Sequence, residues 1–115
     1  MRPYCHQSGG LGLIMHIEIE TADGVDHSPA LEEHVQRELD RFERRHGERI
    51  TRIEAFFKDE RPGKGGVDKV CRLEVRLAGM DPITVDAIAE NVYDAARDAA
   101  GKLEKAVDKR IGKQA

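Results

Sequence analysis

The chain has 115 residues, 19 of them Lys or Arg and 22 Asp or Glu, for a formal net charge of -3. That length makes one domain, with enough apolar surface to bury for a core that needs no staples. No apolar run approaches the roughly 20 residues of a membrane span, and no charged-then-apolar leader ending in a cleavage site opens the chain, so a cytoplasmic protein without a membrane partner is expected.

Residues 1–14, "MRPYCHQSGGLGLI", show little periodicity and are expected to form a disordered tail, with Met15 as the natural start. The two cysteines are too few for a disulfide framework and stand at no zinc-ligand spacing. Both are read as free thiols, Cys71 as a small core residue. From Met15 the period is two: Met15, Ile17 and Ile19 share one face, and His16, Glu18 and Glu20 the other, which predicts a half-buried strand. "TADGVDH" breaks it with turn chemistry. Ser28 before Pro29 is a helix start, the hydroxyl capping a free N–H and the proline sitting where its missing donor costs nothing. Leu31, Val35, Leu39 and Phe42 then recur at the helical period, and Gly47 is expected to close the helix as a C-terminal cap.

Ile53, Ala55 and Phe57 alternate in a second strand, followed by the loop "RPGKGG". The third strand has Cys71, Leu73, Val75 and Leu77 inward, with Val70, Arg72, Glu74 and Arg76 outward. After "GMDP" a short fourth strand surrounds Ile83, Val85 and Ala87. A long alanine-rich helix is predicted from about Glu90 to Ile111, with Val92, Ala96, Ala100, Leu103, Val107 and Ile111 as its buried stripe. The order βαβββα, with runs of antiparallel strands and both helices on one face, describes an α+β two-layer sandwich. Its four-stranded sheet would leave the other face to water.

At about 100° per residue, Lys109 and Lys113 fall within about 20° of Lys102 and Lys105 within about 60°, while Leu103, Val107 and Ile111 lie roughly 100° to 180° away. Glu104 and Asp108 fall on a flank between the two faces. On the first helix Arg37, Arg41 and Arg44 align, with His34 and Arg45 beside them. Basic ridges on two neighbouring helices are the footprint expected for a phosphate backbone. The alternative is a pair of solvated faces, in which Glu33–Arg37, Asp40–Arg44 and Asp98–Lys102 balance at i, i+4. Like-charge pairs at the same spacing, Arg37–Arg41, Arg41–Arg45, Lys105–Lys109 and Lys109–Lys113, are poorly explained by helix stability alone.

These segments together resemble the short ribosome hibernation promoting factors, also called protein Y, ribosome-associated inhibitor or sigma-54 modulation protein. The resemblance runs from about Met15 to Lys113 and rests on "ALEEHVQRELDRFE", the strand order, "ENVYDAA" and "KLEKAVDKRIGK". It implies a fold similar to double-stranded RNA-binding domains, seated on the small ribosomal subunit in the channel of messenger and transfer RNA, and inhibition of translation in stress or stationary phase. Family positions of basic character match Arg41, Lys102, Lys105, Lys109 and Lys113; Arg37 and Arg44 join the candidate set through the helix wheel alone. The chain departs from the pattern at Asn91, where an Asp is usual, at Arg97, which replaces an acid, and at Ile111, which interrupts the basic tail. A single ribosome-binding domain over residues 15–113 is expected, without the further dimerising domain of long family members.

No catalytic residue, metal ligand, cofactor or small-molecule substrate is expected: there is no phosphate-cradling loop before a helix, no His pair at metal spacing and no triad order. "RPGKGG" joins two strands, and His16, His27, His34 and His46 read as surface or edge residues. A competing function is a protein-interaction module that uses the open sheet face without binding RNA, because Phe56 would point outward beside Arg72 and Arg76.

Overall fold

The computed structural model describes residues 17–22, 24–60 and 67–114, with only the helical backbone at positions 113 and 114. The proposed tail, Met15, His16 and the "RPGKGG" loop lie outside the described residues. The element order is β1 (Ile17–Thr21), α1 (Pro29–His46), β2 (Ile50–Asp59), β3 (Lys69–Leu77), β4 (Ile83–Ala89) and α2 (Val92–Gln114). The result is an α+β two-layer fold with an open four-stranded sheet in the order β1-β2-β3-β4.

The sheet is mixed: β2, β3 and β4 pair antiparallel, but β1 pairs parallel to β2. This departs from the expected antiparallel run for a topological reason. A helix between the first two strands carries the chain back across the sheet, so β2 starts at the end where β1 started. Inward-facing Ile17, Ile53, Ala55, Phe57, Cys71, Leu73, Val75 and Ala87 join Leu31, Val35, Leu39 and Phe42 of α1 and Leu103 and Val107 of α2 in one core. Ile50 and Ile53 are both buried although three residues apart, because the β2–β3 register shifts between Ile50 and Arg52; an extra residue in one strand flips the alternation. Burial pushes the Cys71 thiol up to about 12, so it stays a neutral packing residue.

Ser28 Oγ accepts the Leu31 N–H at 3.1 Å with Pro29 opening α1. Gly47 follows the last turn in the right-handed region (φ -54°, ψ -35°), so the left-handed cap usual for glycine does not form. Glycine is needed there for space: a Cβ would stand 2.6 Å from the Glu43 carbonyl oxygen.

α2 begins two residues later than predicted, because Asn91 caps it. Its Oδ1 accepts the Asp94 N–H at 2.8 Å, and its Nδ2 donates to the Asp94 carboxylate at 3.1 Å. Asn caps as well as Asp, and only the amide can also donate, so the departure from the family pattern at this position keeps the helix start. Arg97 is absorbed by Asp94 at 3.1 Å, and Ile111 packs against the core, carrying the apolar stripe into the last turns.

Candidate nucleic-acid interface

α2 packs over β3 and β4, and α1 packs against α2. Ion pairs between the helices climb both in step, from Arg41 with Glu104 to Arg45 with Asp108, so the helices run in the same direction. Their C-terminal halves therefore lie side by side. Arg41, Arg44, Arg45, Lys105 and Lys109, all exposed, gather at that end, with exposed Arg37 one turn before them; Arg44 and Arg45 stand in the last turn of α1, where positive charge complements the helix dipole.

Between the helices lies an acidic seam. Arg41 donates to Glu104 through Nε at 3.2 Å and Nη2 at 3.1 Å. Arg45 reaches Glu104 at 2.8 Å and Asp108 at 3.1 Å, and His46 Nε2 meets Asp108 at 3.0 Å. The Arg41 hydrogen bond, opposed by partial burial and reinforced by Arg45, holds the Glu104 carboxyl below the usual carboxylate range. The Arg41–Arg45 repulsion read from the sequence is thus neutralised from the neighbouring helix. No spacing rule within one helix reaches an acid 63 positions away.

The candidate residues divide by what holds them. Arg41 is paired with Glu104, and Arg44 with Asp40 at 3.0 Å, as the sequence suggested. Lys102 donates to the Asp86 backbone carbonyl at 2.8 Å, tying α2 to β4; its expected pairing with Asp98 does not form, and Asp98 turns to Arg97 at 3.7 Å. Glu33–Arg37 does not form either. Arg37, Lys105 and Lys109 have no acidic or hydrogen-bonding partner among the described residues. Lys113 lies in the last turns of α2, its side chain outside the described residues. Sequence reasoning passed over Arg49 and Arg110, which also have no side-chain partner among the described residues. Arg49 is exposed just beyond α1, and Arg110 lies a turn beyond Ala106; extending the search for bases past the helix end, and past the strict stripe, would have found them.

The open sheet face is spent differently. Arg52 pairs with Glu18 and, at 3.0 Å, with Glu54; Arg72 pairs with Asp86 at 2.8 Å; Arg76 lies 3.7 Å from Glu74 and Lys58 3.3 Å from Glu60. Phe56 stands opposite Arg72 in the β2–β3 register, and Ile88, opposite Val70, is 48% exposed. Of the histidines, His27 meets Glu32 at 2.7 Å and His34 meets the Tyr93 carbonyl at 2.9 Å. Among the described residues no three metal-ligating side chains converge, and no helix is long and apolar enough to cross a membrane.

Two helices running in the same direction against an open four-stranded sheet, with bases on the helix side that have no partner among the described residues, define a small α+β domain with a basic helical surface. The chain belongs to the Sigma 54 modulation protein / S30EA ribosomal protein family, whose pattern it matches over residues 17–115. Among solved structures it is similar to a ribosomal subunit interface protein from Coxiella burnetii, with 28% identity and a TM-score of 0.71 over 85% of this chain and 99% of that one. It also shares the fold of the Protein Y N-terminal domain of Thermus thermophilus, at 20% identity and a TM-score of 0.67 over 83% and 98% of the two chains. A comparison with curated proteins gave no match.

Proposed function

We propose that this chain binds small-subunit ribosomal RNA in the channel used by messenger and transfer RNA and, by occupying it, inhibits translation in stress or stationary phase. The observation that carries the reading is the set of cations on the helix side with no partner among the described residues, Arg37, Lys105 and Lys109, with Lys102 in the same row of α2 and Arg44 beside Arg37 on α1; Lys113, one turn further along α2 in sequence, is proposed to join them. A lysine with no internal acid gives up only water and counterions when it meets a phosphate, so its charge is available to a polyanion. Family membership supports the ribosome as the source of that polyanion, as does the Coxiella burnetii neighbour described as a ribosomal subunit interface protein.

The role is one of occupancy rather than catalysis, and residues 15–113 carry it as one domain. The test is to sediment a stationary-phase lysate through a sucrose gradient and probe where this protein runs. Co-sedimentation with small subunits or whole ribosomes, released by raising salt, is expected; deleting residues 1–14 leaves it unchanged. A protein found only at the top of a low-salt gradient contradicts the reading. Salt-insensitive capture of a protein partner instead favours the interaction module on the sheet face, where Phe56 and Ile88 offer apolar surface.

A further inference from the structure

Two guanidinium groups converging on one anion is an arrangement by which proteins hold phosphate, and here the anion comes from the chain itself. Arg41 grips Glu104 with two nitrogens and Arg45 closes on it from the next turn at 2.8 Å. Exposure across the seam is unequal: the Arg41 side chain is 73% exposed, Arg45 48% and Glu104 only 13%. The acid is set into the groove between the helices and the arginines lie over it. Asp108 holds the second nitrogen of Arg45 at 3.1 Å.

We propose that Glu104, backed by Asp108, is a built-in stand-in for phosphate that withholds Arg41 and Arg45 from RNA. Recognition is then left to the unpaired cations, and generic polyanions are held weakly. To engage an RNA phosphate, Arg41 must leave a largely enclosed carboxylate without its bidentate partner. Stripping the partner from a desolvated charge costs more than an exposed ion pair returns. Lys105 and Lys109 face no such exchange. The seam thus accounts for a net-acidic chain that keeps an arginine column on α1: those arginines fasten the two helices, and their charge is cancelled before a ligand arrives. The meaning of this device for ribosome binding rests on the proposed function, but the device itself concerns any phosphate backbone.

The test is a mutational cycle read on immobilised heparin and on a short RNA duplex of fixed sequence, with each variant's fold checked by circular dichroism. Glu104→Gln should elute from heparin at higher salt, bind the duplex about 10-fold more tightly at low salt, and steepen the log affinity against log salt slope by about 0.9, the signature of one added phosphate contact through Arg41, since Asp108 still holds Arg45. The same change in a chain that already carries Arg41→Gln and Arg45→Gln should not steepen the slope, which separates a released arginine from the mere loss of a negative charge. A charge-balanced removal of the whole seam, Arg41→Gln, Arg45→Gln, Glu104→Gln and Asp108→Asn together, should bind like the parent. Should Glu104→Gln fail to fold, that balanced variant decides alone. An unchanged slope in folded Glu104→Gln overturns the proposal, as does a balanced variant that loses affinity as much as Lys105→Gln with Lys109→Gln. If the parent never associates with ribosomes yet Glu104→Gln gains heparin affinity through Arg41, the proposed function fails and the withholding seam stands.

Discussion

On the open face of the sheet Arg52, Lys58, Arg72 and Arg76 each pair with an acid, whereas on the exposed side of α2 Lys105 and Lys109 pair with none among the described residues. Both surfaces are rich in charge. The cross-strand register sets Glu18, Glu54 and Glu74 abreast, an arrangement of like charges that destabilises a sheet unless bases sit among them; the sheet arginines therefore serve the sheet. Lys105 and Lys109 repel one another along the helix and, unlike Lys102, which donates to the Asp86 carbonyl, serve nothing internal among the described residues. Net charge alone misses this contrast, because it does not tell which acids stand beside a base, as Glu54, Glu74 and Asp86 do on the sheet face and Glu104 and Asp108 do in the seam.

The largest expected effect separates the ridge from what lies under it. Leu103 is fully buried beneath the row that holds Lys102 and Lys105, so Leu103→Ala should destabilise by about 2 to 5 kcal/mol, measured by urea unfolding. Any binding it retains when folded should keep the parent's salt slope. Next comes the direct contrast of surfaces. Changing Lys102, Lys105 and Lys109 together to Gln should weaken ribosome or RNA binding by on the order of 100-fold at moderate salt while leaving the fold intact, with only the Lys102 hydrogen bond to the Asp86 carbonyl lost. Arg72→Gln with Arg76→Gln on the sheet face should change binding by less than about 3-fold. Comparable losses from both sets, in a pelleting assay, would erase the distinction between the two faces.

A smaller effect is the pH dependence of the seam. The Glu104 carboxyl is held below its ordinary 4.5 in the folded state, so the folded form favours the ionised group. Its contribution is fully present above that ordinary value and is lost as pH falls through the lowered folded value. The melting-temperature gap between the parent and Glu104→Gln should therefore hold from neutral pH to about 5 and close below 4.5. A gap independent of pH would show that the seam's charge does not contribute to stability. Smallest is the single pair Arg72–Asp86, both partners more than half exposed; Arg72→Gln should cost about 0.2 to 1 kcal/mol.

The elements and the core were legible because each rests on a local rule. Alternation marked Cys71, Leu73, Val75 and Leu77, Ser28–Pro29 marked the start of α1, and the apolar stripe through Leu103 and Val107 marked α2. The parallel pairing of β1 was not, since direction is set by what the intervening helix does in space. The candidate site was legible as a list of bases and illegible as a pattern of use. Periodicity placed Arg37, Arg41 and Lys105 alike on exposed faces, but Arg41 is cancelled by an acid from the other helix and Lys102 is drawn to the Asp86 carbonyl. Both partners lie far away in sequence or belong to the backbone, which the helix wheel does not see.

The claim that unpaired lysines on α2 meet phosphates is tested most directly by the salt dependence of binding to purified small ribosomal subunits. Plotted as log affinity against log salt, the parent should give a straight line, and Lys105→Gln with Lys109→Gln should lower its slope by about 1.4 to 1.8, two phosphate contacts removed. An unchanged slope in that variant, folded and at full occupancy in low salt, would contradict the account.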